Sequence, residues 1–317
     1  MTTLAIVVPC YNEQEVLPET TRQLIALLQR LVAAGKIDQH SRIYLVDDGS
    51  SDGTWNLIKA GVADGSPVVG IKLSRNQGHQ NALLAGLFSA AGDAVISIDA
   101  DLQDDCNAIE AMLDDFHRGS DIVYGVRSSR QTDAFLKRLS AEFFYRLIAR
   151  MGVRTIHNHA DFRLLSRRVL EALKGYSEAN LYLRGIIPLI GYKSSTVEYK
   201  RAARLAGTSK YPFRKMLSLA LNAVTSFSVL PLHVISVLGV LVSAGTLIVS
   251  VWVLWVALFT DRAVPGWAST VLPIYFLGGV QLLSLGVIGE YMGKLYIESK
   301  QRPRYFIERI VGSDSLG

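Results

Sequence analysis

No Asp, Glu, Lys or Arg occurs between Met216 and Thr260, and none between Ala263 and Gly289. A bilayer-spanning helix needs about 20 apolar residues, and a helix without a polar stripe has no face to offer water. Two spans fit, near Leu230–Phe259 and Ala268–Gly289, joined by a tight connection, Asp261–Trp267, that carries Pro265 and Gly266. Two buried helices of a soluble protein are the competing reading, disfavoured by the length of the charge-free runs. Arg201, Arg204, Lys210, Arg214 and Lys215 precede the first span, and Lys294, Lys300, Arg302, Arg304 and Arg309 follow the second. The connection has only Arg262, so the positive-inside rule puts both termini in the cytoplasm. Gly289-x-x-x-Gly293 and Gly278-Gly279 allow close helix contact or serve as packing glycines.

The residues before Lys215 read differently. Leu4–Pro9 is a short apolar run, too short and without the basic leader of a signal peptide, and it fits a buried parallel strand. Glu15–Ala34 then spaces Leu24, Leu27, Leu28 and Leu31 on one helical face. Further strands are expected at Arg42–Asp47, Val68–Leu73, Ala94–Ile98 and Asp121–Val126. Helices are expected from the capping run Ser51-Asp-Gly-Thr54, at Gln80–Ala91 and at Asn107–His117. Strands alternating with helices predict an α/β domain with a mostly parallel, Rossmann-like sheet, whose ligands bind at the carboxyl ends of the strands. Asp133–Met151 aligns Phe135, Leu139, Phe143 and Leu147 beside Lys137, Arg138, Arg146 and Arg150. That pattern fits a surface helix packed on the core or an amphipathic helix at the membrane interface; the adjacent spans favour the latter.

The mean hydropathy of +0.25 is accounted for by the C-terminal runs. The net charge of +5 is compatible with nucleic acid, anionic membrane or phosphorylated substrates. Its basic residues cluster at the membrane flanks, so a nucleic-acid partner is not expected. Cys10 and Cys106 form no CxxC pair and no Cys/His cluster, and read as reduced, small core residues.

Four polar runs fall at predicted strand ends. Asp99-Ala-Asp101 follows the fourth strand, and two carboxylates so spaced can share one hard cation, Mg²⁺ or Mn²⁺, with phosphate oxygens. Pro9-Cys-Tyr-Asn-Glu13 follows the first strand, where Asn12 or Glu13 could alternatively cap a helix. In Val46–Thr54 an aspartate could bond a base or ribose while Gly49 and Gly53 make the turn. In Ser74–Asn81, Gly78 opens a helix whose N-terminus could face a phosphate or ribose. No GxxxxGK[ST], no GxGxxG after the first strand and no HExxH is present, which disfavours P-loop NTPases, dinucleotide-binding dehydrogenases and zincin proteases. His157-x-His159-x-Asp161, expected in a loop, is a poor zinc signal and fits a non-metal role.

Together these runs resemble the family 2 glycosyltransferases of GT-A fold, in the polyprenyl-phosphate branch that includes dolichyl-phosphate mannose synthase and, nearest in pattern, the bactoprenol glucosyltransferases. The carriers are Val8-Pro-Cys-Tyr-Asn-Glu13, Asp47-Asp-Gly-Ser-Ser-Asp52, Asp99-Ala-Asp-Leu-Gln-Asp104, Ala160-Asp-Phe-Arg-Leu-Leu165 and Arg204-Leu-Ala-Gly-Thr-Ser-Lys-Tyr211. Gly286-Val-Ile-Gly-Glu-Tyr291 and Arg302-Pro-Arg-Tyr305 fit as well. Asp105-Cys106 departs from the prolines of many relatives, and Asn180-Leu-Tyr-Leu-Arg-Gly185 replaces the QxxRW of processive synthases, which argues against a polysaccharide synthase. The resemblance implies that Pro9, Tyr11, Glu13, Asp48 and Asn76 hold the nucleotide-sugar. Asp99 and Asp101 would bind nucleotide and metal with Gln103 nearby, and Asp161 would act near the acceptor. Arg127, Arg204, Ser209 and Lys210 would grip donor or acceptor phosphates.

The organisation implied is a cytoplasmic catalytic domain (1–215, with an interface helix at 133–151), a multi-pass membrane domain (216–295) in the inner (plasma) membrane, and a cytoplasmic tail (296–317). The reaction implied is inverting hexose transfer, with glucose from UDP-glucose as donor and undecaprenyl phosphate as acceptor. Other sugars (GlcNAc, mannose, aminoarabinose) and a silent membrane-tethered nucleotide-sugar binder are the alternatives. A homo-oligomer, such as a tetramer, is the expected assembly. A phosphate monoester is already largely dianionic near neutrality, its second pKa being about 6. The chemistry therefore needs cations on both phosphates more than a strong base. Asp161 is expected as a base, an acceptor orienter or a partner of Arg163.

Overall fold

The computed structural model describes residues 1–127, 159–178, 183–200, 230–259 and 266–312. The chain divides into two compact units. The first comprises Met1–Ala149, Arg154–Tyr211 and Arg302–Gly317; the second comprises Arg150–Val153 and Pro212–Gln301.

The first unit is built on eight described strands: β1 (Leu4–Cys10), β2 (Arg42–Asp47), β3 (Val68–Leu73), β4 (Ala94–Ser97), β5 (Ile122–Arg127), β6 (His159–Ser166), β7 (Ser194–Tyr199) and β8 (Ile307–Val311). They form one sheet in the order β7-β5-β6-β4-β1-β2-β3-β8. The neighbours β1–β2, β1–β4, β2–β3 and β5–β7 are parallel, whereas β6 lies antiparallel to β4 and β5, and β8 antiparallel to β3. The expected parallel core is therefore present within a mixed sheet. The first five strands fall within a residue or two of their expected bounds, and β2 and β3 match them.

The described helices of this unit are α1 (Leu17–Ala33), α2 (Thr54–Ala63), α3 (His79–Ser89), α4 (Ala108–His117), α5 (Arg167–Lys174) and α6 (Leu183–Leu189). Leu24, Leu27, Leu28 and Leu31 of α1 are buried, as their spacing requires, in a core with Ile6, Val8, Ile43, Ile96, Met112 and Phe162. Burying one such side chain stabilises by about 1.5–3 kcal/mol. On α3, a Cβ at Gly86 would stand 2.3 Å from Val7 Cγ1, so only glycine lets this helix lie so close to the sheet. Cys10 and Cys106 are free and buried, and burial pushes the Cys106 thiol up to about 11.

Three local readings are corrected. Neither Asn12 nor Glu13 caps α1 by its side chain, for its N-cap is Val16 and carries no side-chain bond. The run Ser51–Thr54 does not cap α2 through a side chain either: the N-cap is Gly53, and Asp52 Oδ1 accepts from the Thr54 N–H within a turn at 3.0 Å. His159 and Asp161 lie in β6 rather than in a loop. The interface helix expected at 133–151, with His157, lies outside the described residues.

In the second unit, α7 (Leu230–Phe259) and α8 (Trp267–Ser299) are 30 and 33 residues long. At 1.5 Å per residue each exceeds about 40 Å. Val240, Leu241, Ile248, Trp255, Phe276 and Leu282 point outward, each more than half exposed. Among the described residues one stretch, Phe276–Ser299, is long and apolar enough to cross a membrane. α8 continues past the expected end at Gly289 through Glu290, Lys294 and Glu298, since no helix breaker intervenes. The residues expected as a tail divide accordingly: 296–299 extend α8, and Ile307–Val311 form a strand of the first unit's sheet.

Candidate functional site

At the carboxyl end of the sheet, β1 pairs with β2 on one side and β4 on the other, which opens a crevice where the strand order reverses. Pro9 is buried inside β1, opposite Val46, beyond the last residue paired with β4. A missing N–H is tolerated there because β1 has a strand partner on one side only.

The loops after β1 and β2 are tied to each other. Asn12, at φ 55°, donates its N–H to Ser50 Oγ at 3.0 Å and accepts from the Ser51 N–H at 2.9 Å. The Glu13 N–H donates to Thr54 Oγ1 at 2.9 Å, and the Gly53 N–H to Gln14 Oε1 at 2.9 Å. Two motifs far apart in sequence thus form one surface, with Tyr11 half exposed upon it.

Asp48 fixes the third loop. The N–H groups of Gln77 and Gly78 donate to its Oδ1 and Oδ2 at 2.7 and 3.0 Å. Burial, assisted by neighbouring Asp47, raises the Asp48 carboxyl above its ordinary value against the pull of these donors. The start of α3 is thus tied to the Asp48 carboxyl through the Gln77 and Gly78 N–H groups. Gly49, at φ +67°, makes room for this loop, because a Cβ there would stand 2.5 Å from the Asn76 nitrogen. Asn76 itself is exposed.

The β4–β6 register builds the centre. Ser97 pairs with Arg163 in antiparallel register, so two residues further on Asp99 comes opposite Asp161. His79, the first residue of α3, reaches both: its Nε2 is 3.6 Å from Asp99 Oδ1 and 3.4 Å from Asp161 Oδ2. Arg184 on α6 donates from Nε and Nη2 to the two oxygens of Asp161 at 3.1 and 3.0 Å, and buried Arg163 donates to Oδ1 as well. Burial would raise the Asp161 carboxyl, but His79, Arg163 and Arg184 outweigh it and hold the group far below the usual carboxylate range. Burial likewise opposes the charge on His79, yet Asp161 and Asp99 raise its pKa. Asp99 lies the other way. Burial first, then the carboxylates of Asp161, Asp104 and Asp101, push it above its ordinary value, with His79 in opposition.

Beyond the DxD pair, Leu102 adopts φ 54°, and the Gln103 N–H donates to Asp101 Oδ1 at 3.2 Å. Leucine is rarely left-handed, and such strain is characteristic of binding loops. Asp104 is buried, accepts from Tyr199 Oη at 2.5 Å, and lies 3.6 Å from Arg127, whose Nε also donates to Tyr199 at 3.2 Å. Burial and Asp104 push the Tyr199 hydroxyl well above its ordinary value. Arg127 is thus engaged with Asp104 and Tyr199. Arg204, Ser209 and Lys210 lie outside the described residues.

Among the described residues no group of three or more His, Cys, Asp and Glu side chains is arranged to hold a metal ion. Asp99 and Asp101 are still suited to a hard cation that takes its remaining ligands from phosphates and water. The raised carboxyl of Asp99, crowded by other carboxylates, is the chemistry such a cation relieves. Sequence reasoning named Asp99, Asp101 and Asp161 but passed over His79, Arg184, Asp104 and Tyr199. The one available signal for these was that His79, Arg184 and Asp104 stand inside the same motif runs.

The family model "Glycosyl transferase family 2" matches residues 5–174, more than half of the chain. This chain belongs to glycosyl transferase family 2. Its sheet is the α/β sheet of the GT-A type, and the protein is a glycosyltransferase. It is 48% identical over 96% of its length to an uncharacterized glycosyltransferase, YkoT, of Bacillus subtilis, 91% of which is covered. It is 40% identical over 97% of its length to a prophage bactoprenol glucosyl transferase homolog of Escherichia coli, 99% covered. It is 41% identical over 96% of its length to the bactoprenol glucosyl transferase of Shigella phage SfV, 98% covered.

Proposed function

We propose that this glycosyltransferase moves glucose from UDP-glucose to undecaprenyl phosphate with inversion, at the cytoplasmic face of the plasma membrane. The observation that carries the reading is near-full-length similarity to proteins named bactoprenol glucosyl transferase, at 40–41% identity. The geometry supports it: Asp99 and Asp161 face each other at the sheet's carboxyl edge, with His79, Arg163 and Arg184 supplying cations around them.

In this reading Tyr11, Glu13, Asp48 and Asn76 form or fix the nucleotide surface, and buried Pro9 shapes its base. Asp99 and Asp101, with Gln103, would hold Mg²⁺ or Mn²⁺, which when bound neutralises charge on the leaving diphosphate. An acceptor phosphate oxygen attacks the anomeric carbon as the bond to UDP breaks, and a single displacement inverts the configuration. Asp161 is too acidic to take a proton efficiently near neutrality. It acts as an orienter that holds Arg184 and His79 toward the reacting phosphates. Arg204, Ser209 and Lys210 would grip the lipid phosphate, and Arg127 holds Asp104 in the loop after the metal pair.

Both α7 and α8 span the bilayer in this reading. Each is long enough, and the charge-free runs cover them except for the polar end of α8. With the first unit on one side of the membrane, two crossings would return the chain to it at Arg302. A homo-oligomer, such as a tetramer, is the assembly proposed.

Membranes carrying the protein, given a panel of labelled nucleotide-sugars and polyprenyl phosphate, test the reading. Label from UDP-glucose is expected in the lipid fraction. Label from another donor only would replace the sugar, and none from any donor would overturn the reaction.

A further inference from the structure

We infer that the segment following α8 is a working part of the transfer site, and that Arg304 is a positioning residue for Arg184 and Asp161. This rests on the reading of the Asp99–Asp161 crevice as the place of transfer.

The tail is held to two loops at once. On one side β8 extends the sheet next to β3, with Ile71 paired to Ile310 and Lys72 to Arg309. Lys72 Nζ donates to Glu308 Oε2 at 2.8 Å, and the Ser74 N–H donates to the Phe306 carbonyl at 3.0 Å. Ser74 begins the loop that Asp48 holds and that ends at His79. On the other side, Arg304 Nε donates to the Glu178 carbonyl at 2.9 Å, and its Nη2 donates to the Tyr176 carbonyl. Those carbonyls stand a few residues before α6, the helix that carries Arg184. The Leu183 N–H donates to Gln80 Oε1 at 3.1 Å, which joins the start of α6 to the start of α3.

His79 and Arg184 are the groups that reach Asp161 from α3 and α6. The tail is therefore bonded both to the loop that ends at His79 and to residues 176–178 ahead of α6, although Arg304 touches no group of the charged cluster in any described contact. A guanidinium across two carbonyls of one loop fixes its position and direction, whereas an ammonium supplies a point charge. The loop before α6 has no regular structure of its own at 176–178, so its position depends on such external bonds. Displacements near 1 Å at a supporting group can cost about a hundredfold in rate.

The test is a double-mutant cycle on the full-length protein. Arg304→Ala is expected to lower kcat roughly tenfold and to change the KM for nucleotide-sugar less than about twofold. In an Arg184→Ala background the same change is expected to lower kcat less than about twofold, since its effect runs through Arg184. Arg304→Lys restores part of the loss. Hydrogen exchange of the Leu183–Leu189 amides is measured on the same proteins and is expected to accelerate in Arg304→Ala. Equal losses in both backgrounds, or unchanged exchange at α6, would overturn the proposal. If Arg304→Ala does not fold, Arg304→Gln, which keeps the stem, takes its place in both measurements. A wild-type protein that transfers no sugar would sink the proposed reaction, and the exchange comparison would still decide whether Arg304 holds α6.

Discussion

Replacing Asp161 by Asn removes the shared anion of three cationic side chains. Asp161 is 6% exposed and Arg163 1%, so their attraction is little screened. Removing one partner of a buried ion pair costs about 3–5 kcal/mol. Asn retains an acceptor oxygen, so the lower end applies, about 3 kcal/mol. For a domain of this size 1 kcal/mol moves Tm by about 2–4 °C, which gives a fall of roughly 6–12 °C. Scanning calorimetry of the purified full-length protein in detergent reads this directly. The pH dependence adds a second constraint. The folded pKa of Asp161 lies well below its unfolded value of about 3.9. Its contribution is therefore complete above about pH 5 and fades as pH falls through the folded pKa. The gap in Tm between wild type and variant should be widest near about pH 5–6, narrow in acid, and shrink as pH rises through the raised pKa of His79, where the part of the attraction owed to its charge is lost. A shift below about 2 °C, or a gap that widens in acid, would refute the electrostatic account of this site. Near-normal turnover by the variant would also exclude Asp161 as a general base.

Gly49→Ala should destabilise by about 1–2 kcal/mol from the left-handed backbone alone, and more from contact with Asn76; chemical denaturation of the variant measures it. Tyr199→Phe leaves buried Asp104 short of one donor and should cost about 1–3 kcal/mol in the same assay, while the edge-on contact with Phe162 at 5.2 Å persists. Chelation should abolish transfer, and either Mg²⁺ or Mn²⁺ should restore it in wild type but not in Asp99→Asn or Asp101→Asn. Reporters fused at the C-terminus and inserted at 261–265 should report opposite sides of the membrane; one common side would rule out the two-span hairpin.

The parallel strands β1 to β5 were legible because each is a short apolar run ending in polar residues, whereas β7, parallel to β5, is the polar run Ser194–Tyr199 and was not expected. Leu4–Cys10, Arg42–Asp47 and Val68–Leu73 needed no tertiary information. The antiparallel members were not. His159–Ser166 mixes His, Asp and Arg with apolar residues because its first part lines the site. Ile307–Val311 gains a partner only after the chain has made its excursion through α7 and α8. The DxD pair was legible from spacing, but its setting was not, since the placement of Asp161 depends on β6 running against β4. Asp48 shows a further limit. Its position after β2 suited a ligand contact, and the loop it holds comes from residues 29 and 30 positions later.

The central claim is glucose transfer to a lipid phosphate at the Asp99–Asp161 crevice. Purified protein, UDP-glucose and undecaprenyl phosphate, with the anomeric configuration of the lipid product read by nuclear magnetic resonance, test it most directly. The account predicts a glucosyl phospholipid of configuration opposite to the donor from wild type and none from Asp99→Asn. A product of retained configuration, or equal product from both proteins, would contradict it.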